Sequence, residues 1–155
     1  MLSAFANLAH NPTFWSALLG WLTAQLVKML CHFVVRREIS LQYLISTGGM
    51  PSAHSATVTG LATSVAWRCG CDSPLFAVSL AFAILTMFDA STVRRAAGLQ
   101  ARLLNELIDR YFREHRFSET KLKELLGHTR LEVFMGMVIG FLVAVIIQSM
   151  WVART

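Results

Sequence analysis

Two long apolar stretches constrain the fold of this chain more than any other feature. They run approximately from Phe14 to Val35 and from Leu131 to Val152, and each is long enough to cross a bilayer, which takes about 20 helical residues. Shorter apolar helices are predicted from about Ser55 to Trp67 and from about Leu75 to Phe88. Hydrophobic residues make up 55% of the chain, which is high for a soluble globule. We therefore predict an all-α, polytopic membrane helical bundle of about four transmembrane spans, folded as a single domain over residues 1–155.

The segment that follows Asp89 predicts short interfacial helices instead of a further span. Apolar residues between Leu99 and Tyr111 recur at helical spacing, opposite Arg102 and Glu106. Such an amphipathic helix is too polar to span, so we expect it to lie at the membrane interface or to pack under the bundle. A second short helix is predicted from Ser118 to Gly127.

The placement of arginine and lysine predicts the orientation in the membrane. Arg36 and Arg37 follow the first span, and the segment 94–130 carries most of the remaining positive charge, whereas the other side has Arg68 and Arg154. By the positive-inside rule, the N-terminus faces out and the basic loops face the cytoplasm. Because a net charge of +5 in a membrane protein reports topology more often than nucleic-acid binding, we expect no nucleic-acid partner.

The cysteines and carboxylates suggest neither a disulfide framework nor a metal site. Cys31, Cys69 and Cys71 are arranged in a way that builds no disulfide framework. Asp89 and Glu106 are isolated carboxylates, whereas hard cations need several oxygen ligands. We therefore expect no metal and no cofactor.

A glycine pair runs into a proline, a serine and a histidine just before the second apolar helix, as Gly48–Ser55. Glycine can adopt backbone conformations that let N–H groups converge on an anion, and the first turn of a helix attracts one as well. One interpretation is a phosphate cradle at Gly49 and Ser52, with His54 beside it as an acid or base. The alternative is a glycine–proline turn in which Ser52 caps the helix.

The first apolar stretch carries polar residues along one face. Lys28, His32 and Arg36 follow Gln25 at intervals of three, four and four residues. Ionisable residues inside a membrane helix usually face a bundle interior or a water-filled site, so we interpret Lys28 as functional. For Arg36 and His32, which lie nearer the end of the span, snorkelling to the interface is the alternative.

A further polar group lies at the start of the last span. Thr129 and Glu132 have the spacing of a capping box. His128 is not needed for a cap, and Glu132, four residues on, is able to hold its imidazole in one tautomer. The two roles compete for one carboxylate, and the sequence leaves both open. In the predicted topology this group lies on the same membrane face as the glycine loop, which is typical of an assembled site.

These residues resemble the type 2 phosphatidic acid phosphatases and vanadium haloperoxidases, most closely their small divergent membrane branch. The second motif of the broader family, PSGH, looks like Pro51–His54, with alanine in place of glycine. The end of its third motif, SRxxxxxHxxxD, looks like His128 with Glu132. Lys121 and Leu122 stand where that motif has its serine and arginine.

The first motif, KxxxxxxRP, is matched more loosely. Lys28 with Arg36 resembles it, with one additional residue between them and no proline after them. The divergent branch is similar over nearly the whole chain, including Gly48–Ser55, Asp89–Gly98 with its paired arginines, and Leu122–Gly136.

The resemblance implies a metal-independent phosphatase with a phosphohistidine intermediate. His128 would be the nucleophile, Glu132 would orient it, and His54 would protonate the leaving alkoxide. The charge on the transferred phosphoryl group would be balanced by Lys28, Arg36, Ser52 and the backbone near Gly49.

The arginine that is absent at Leu122 needs a substitute in this scheme. Arg94 or Arg95 is our first choice, with Lys121 or Lys123 as the lesser candidate. The alternative is that the paired arginines only report topology.

We therefore predict a membrane-embedded phosphatase that hydrolyses a lipid phosphate or diphosphate at the cytoplasmic face. Phosphatidic acid, phosphatidylglycerol phosphate and polyprenyl diphosphate are unranked candidates. The alternative is a non-catalytic protein that binds or transports an anionic lipid or phosphate and retains the cradle. A purely structural subunit gives no reason for Lys28, His54 and His128 to gather at one face. The expected partners are the bilayer and the lipid phosphate, and a homo-oligomer remains open.

Overall fold

The computed structural model describes residues 7–37, 49–111 and 128–153. Within these ranges the chain is helical and contains no strand, so the all-α prediction is confirmed. Five long helices follow one another along the described chain: α1 (Pro12–Arg36), α2 (Ala53–Cys69), α3 (Pro74–Ser91), α4 (Val93–Tyr111) and α5 (Arg130–Val152). The predicted helix from Ser118 to Gly127 lies outside the described residues.

Three described segments are long and apolar enough to cross a membrane, namely Pro12–Val34, Pro74–Ile108 and Arg130–Val152. The prediction of a membrane helical bundle is therefore confirmed. The remaining bundle helix is α2, which has 17 residues and falls outside this set, although it lies at the centre of the fold.

The central position of α2 defines the bundle. It packs against α1, α3 and α5, and α1 also packs against α5. The Ser52 N–H at the start of α2 donates to the Glu132 carbonyl in the first turn of α5, at 3.0 Å. The His128 N–H, just before α5, donates to the Ala90 carbonyl near the end of α3, at 3.0 Å. The starts of α2 and α5 therefore lie beside the end of α3, and we call this the site end of the bundle and the opposite one the far end.

Small residues at four-residue intervals hold α1, α2 and α5 together. A methyl group added at Gly60 of α2 would stand 2.7 Å from the Ser16 carbonyl oxygen of α1. At Gly140 of α5 it would come closer still to the Ala56 carbonyl oxygen of α2. Close backbone approach of this kind is how small residues drive helix association in membranes. The stripes are Ser16, Gly20 and Ala24 on α1, Ser52, Ala56, Gly60 and Ser64 on α2, and Gly136, Gly140 and Ala144 on α5.

A buried polar network joins the same three helices at the far end. The Gln148 side-chain amide of α5 donates to the Ser64 hydroxyl of α2, and also to the Ser16 hydroxyl of α1 at 3.4 Å. The Ser64 hydroxyl in turn donates to the Thr13 hydroxyl at 2.9 Å. Because these groups have no water to bind in a bilayer, their mutual bonds fix the relative positions of the helices.

Helices α3 and α4 lie at the edge of the bundle. Only Ser79, Ala83 and Ala90 of α3 are buried among its described side chains, and most of its large apolar residues are exposed, as expected for a lipid-facing helix. Along α4, the leucines at the predicted apolar positions are 48–61% exposed, and within the described chain α4 packs only against α3. The predicted amphipathic helix is therefore present, and its location at the membrane interface stays a prediction.

Candidate active site at the site end

His128 and Glu132 form the centre of the site. The His128 side chain is only 3% exposed, and its Nδ1 lies 3.0 Å from Glu132 Oε2. The same oxygen accepts the Thr129 N–H at 3.0 Å, and the Thr129 hydroxyl accepts the Glu132 N–H at 3.3 Å. Glu132 Oε2 therefore takes part in the helix cap and also contacts the His128 imidazole, so the two roles left open by the sequence do not exclude each other. An imidazole that donates from Nδ1 presents the lone pair of Nε2 to a reaction partner.

The second imidazole, that of His54, comes from the first turn of α2. It is half-buried, and its ring centroid lies 6.3 Å from that of His128, with the ring planes inclined by 59°. Two imidazoles at this separation are able to act on the same small group, one as nucleophile and the other as acid.

Ser52 is the residue that caps the start of α2. It is fully buried, and its Oγ accepts the Ser55 N–H at 3.3 Å and the Ser55 hydroxyl at 3.0 Å. The alternative interpretation of Ser52 as a helix cap is therefore present in the structure. Its hydroxyl proton remains available to a donor role, so binding of phosphate by Ser52 stays a prediction.

Gly49 and Lys28 lie next to each other. Gly49 has a φ of 91°, in the region that favours glycine, and the Met50–Pro51 peptide bond is cis. The point where a Cβ of Gly49 would stand is 3.8 Å from Cδ of Lys28. Lys28 is only 4% exposed, and its side chain is close enough to Glu132 for an electrostatic interaction between the two. The structure thus brings the predicted cation of α1 and the glycine loop to the same place as the histidine pair.

Comparison with known proteins identifies the family. The family model described as the Divergent PAP2 family matches residues 9–143. The chain belongs to this family. A relative from Bacillus subtilis (strain 168), described as an uncharacterized membrane protein, YuiD, is 45% identical over 152 residues, which cover 91% of this chain and 96% of the relative. No solved structure matches the chain. The family resemblance predicted from the motifs is confirmed.

The arginines predicted to bind phosphate are placed only in part by this Divergent PAP2 structure. Arg36 is the last residue of α1, and Arg94 and Arg95 lie in the first turn of α4, directly after α3 ends at the site end. Arg95 is exposed, and the side chains of Arg36 and Arg94 lie outside the described part of the chain. Their contact with phosphate stays a prediction. Gly48, Lys121, Leu122 and Lys123 lie outside the described residues.

Two contacts of the Divergent PAP2 site were not predicted from the sequence. The Ala90 carbonyl holds the main chain of His128, and Gly136 leaves room for the backbone of Ser52, because a Cβ there would collide with the Ser52 carbonyl oxygen. A main-chain acceptor has no side-chain signal. For the second contact the sequence did contain a signal, because Gly136 follows Glu132 by four residues and so lies on the same face of α5.

The described residues of the site include imidazole, carboxylate and amine groups. Among the residues that the structure describes, no group of three or more His, Cys, Asp or Glu side chains is placed to hold a metal ion. Cys31, Cys69 and Cys71 are exposed free thiols in the described chain.

Proposed function

We propose that this Divergent PAP2 protein hydrolyses a lipid phosphate or diphosphate through a phosphohistidine intermediate. The observation that carries the proposal is the buried His128, whose Nδ1 is held by Glu132 at 3.0 Å beside a second imidazole. In this scheme Nε2 of His128 attacks phosphorus, and the bond from phosphorus to the lipid oxygen breaks. His54 donates a proton to the departing oxygen. Water then attacks the phosphohistidine and gives a proton back to His54, which releases inorganic phosphate and restores both imidazoles.

The charges around the histidines suit a phosphoryl group. Phosphoryl transfer depends mainly on positioning and on groups that balance the charge of the equatorial oxygens. Lys28 supplies a cation from α1, and the loop at Gly49 supplies main-chain N–H groups next to it. Arg94 or Arg95, at the start of α4, is proposed to replace the arginine that the broader family has at the position of Leu122. We further propose that the site faces the cytoplasm, on the evidence of arginine and lysine placement.

A non-catalytic binding protein is the second candidate, and Leu122 at the arginine position favours it. Such a protein would retain Lys28 and the glycine loop and would bind the head group without transfer. Transport through the interior of the bundle is disfavoured, because α1, α2 and α5 are in backbone contact around Gly60 and Gly140 and leave no space between them there.

The experiment that tests the proposal is phosphate release by the purified protein, in detergent, from a panel of lipid phosphates. The variants His128→Ala and His54→Ala are expected to abolish release, whereas His10→Ala, an exposed histidine at the far end, is the matched control and retains it. Release that survives His128→Ala would contradict the phosphohistidine scheme. Vanadate binding without any release would favour the binding protein instead, and His128→Gln should then retain that binding.

A further inference from the structure

The face of α2 that carries His54 continues along the helix as Thr57 and Leu61. Intervals of three and four residues place all three on one helix face, and all three are half-buried. The neighbouring faces are occupied by other helices, since Gly60 lies against the Ser16 carbonyl of α1 and Val58 packs with Ala83 of α3. The face of His54 therefore lies between two of the helices that surround α2.

Helices α1 and α3 flank this face, and we call the space between them, over Thr57 and Leu61, the lateral furrow. Both helices pack against α2, yet in the described part of the chain their main chains do not approach each other closely. The floor of the furrow is effectively apolar, because the Thr57 hydroxyl donates to the Ala53 carbonyl of its own helix at 2.8 Å and Leu61 is aliphatic. The furrow therefore leads from His54 along an apolar surface toward the middle of the bundle.

The gap on the other side of α3 differs, because it is closed at the site end. There the His128 N–H donates to the Ala90 carbonyl and joins α3 to the start of α5. Below that bond lies an apolar cavity of about 290 Å³, whose lining includes Thr59, Leu80 and Phe141. A hydrocarbon chain that passed from the histidines into this cavity would meet the joined main chains of Ala90 and His128.

The chemistry of the site distinguishes the two gaps. In the proposed function, His128 takes the phosphoryl group and His54 protonates the oxygen that leaves with the rest of the lipid. The hydrocarbon part must therefore lie on the side of His54. Resting on that proposed function, we propose that the hydrocarbon chain of the lipid phosphate occupies the furrow between α1 and α3, over Thr57 and Leu61.

A matched pair of substitutions tests this assignment. Leu61→Trp fills the furrow, and Leu80→Trp makes the same change in the cavity between α3 and α5. For each variant, kcat/KM is measured with a long-chain lipid phosphate and with para-nitrophenyl phosphate, which has no hydrocarbon chain. The ratio compared is kcat/KM for the long-chain lipid phosphate divided by kcat/KM for para-nitrophenyl phosphate. We expect Leu61→Trp to lower this ratio by at least about tenfold, because binding of the hydrocarbon chain is lost. Leu80→Trp should leave the ratio unchanged.

A photoreactive lipid phosphate, with a diazirine in the middle of its chain, supplies a measurement that does not need turnover. Cross-links mapped to Thr57 and Leu61 support the furrow, and in the absence of phosphate release they would show that the furrow is correct and the hydrolytic function wrong. Cross-links confined to Leu80 and Phe141, or a ratio that falls only in Leu80→Trp, would overturn the furrow while leaving hydrolysis intact.

Discussion

At the scale of single residues, one carboxylate oxygen serves both the start of α5 and the orientation of His128. Glu132 Oε2 accepts from the Thr129 main chain and lies at hydrogen-bond distance from the imidazole. A helix cap of this kind contributes roughly 1 kcal/mol to stability, whereas a carboxylate that fixes a catalytic imidazole has a much larger effect on rate. The two contributions can therefore be separated by a substitution that keeps the acceptor and removes the charge.

Glu132→Gln is that substitution. Its side-chain carbonyl is able to accept both hydrogen bonds, so we expect the midpoint of thermal unfolding to change little. The loss of negative charge beside His128 is expected to lower kcat for phosphate release by a factor of about 100 to 10,000. Glu132→Ala, which also removes the cap, should lose roughly another 1 kcal/mol of stability. A Glu132→Gln protein with full kcat would mean that Glu132 acts only as a cap.

At the scale of the helices, the glycine and alanine stripes decide how closely α1, α2 and α5 approach. Gly60 and Gly140 lie where a side chain would meet the main chain of a neighbouring helix. A backbone cannot rotate away as a flexible side chain can, so any added atom must push the helices apart. The same packing sets the relative position of α2 and α5 along their axes, and so brings the Ser52 N–H to the Glu132 carbonyl at the site end.

Gly60→Ala should therefore destabilise the protein by about 1–3 kcal/mol, even though alanine is the better helix former. Gly98→Ala, in the edge helix α4, is the control and is expected to be neutral or slightly stabilising, because alanine has the higher helix propensity. Thermal unfolding in detergent measures both. Equal midpoints for the two variants would contradict the close approach at Gly60.

The polar network at the far end also holds helices together, and we expect it to affect stability but not activity. Gln148→Leu removes the bonds to Ser64 and Ser16, and membrane hydrogen bonds contribute about 0.6 kcal/mol each on average. Gln148 lies 16 residues beyond Glu132 on α5, about 24 Å along the helix axis. We expect a lower unfolding midpoint with unchanged phosphate release; a loss of release would show that the two ends are coupled.

At the scale of the whole molecule, the described members of the candidate site lie at one end of the bundle, and the turn between α2 and α3 lies at the other. The helices α1, α2, α3 and α5 run in alternate directions through the bundle. Residues from distant parts of the sequence therefore lie at the same membrane depth. One labelling experiment can therefore determine which side of the membrane the whole site faces.

A protein whose only cysteine replaces the exposed Met50 should react with a membrane-impermeant thiol reagent only from the cytoplasmic side. Met50 is 41% exposed in the loop before α2. The control retains only the native Cys71, which is exposed in the turn at the far end and should react only from the outside. The reverse pattern would place the site outside the cell and overturn the positive-inside prediction.

Much of the fold and part of the site could be predicted from the amino-acid sequence. The long apolar stretches, and the caps at Ser52 and Thr129, depend on local chemistry, because a bilayer requires apolar side chains and a helix start requires an acceptor for its free N–H groups. The histidines and Lys28 were identifiable as residue types that rarely lie in apolar segments without a function.

Only the tertiary structure decided how these segments meet. The distance between His54 and His128 and the bond from His128 to the Ala90 carbonyl both depend on how far one helix is shifted along another. That shift is set by backbone contact at glycine and alanine, which carry almost no hydrophobic periodicity to read. The chain therefore encodes its helices in local patterns and its site in contacts between residues far apart in sequence.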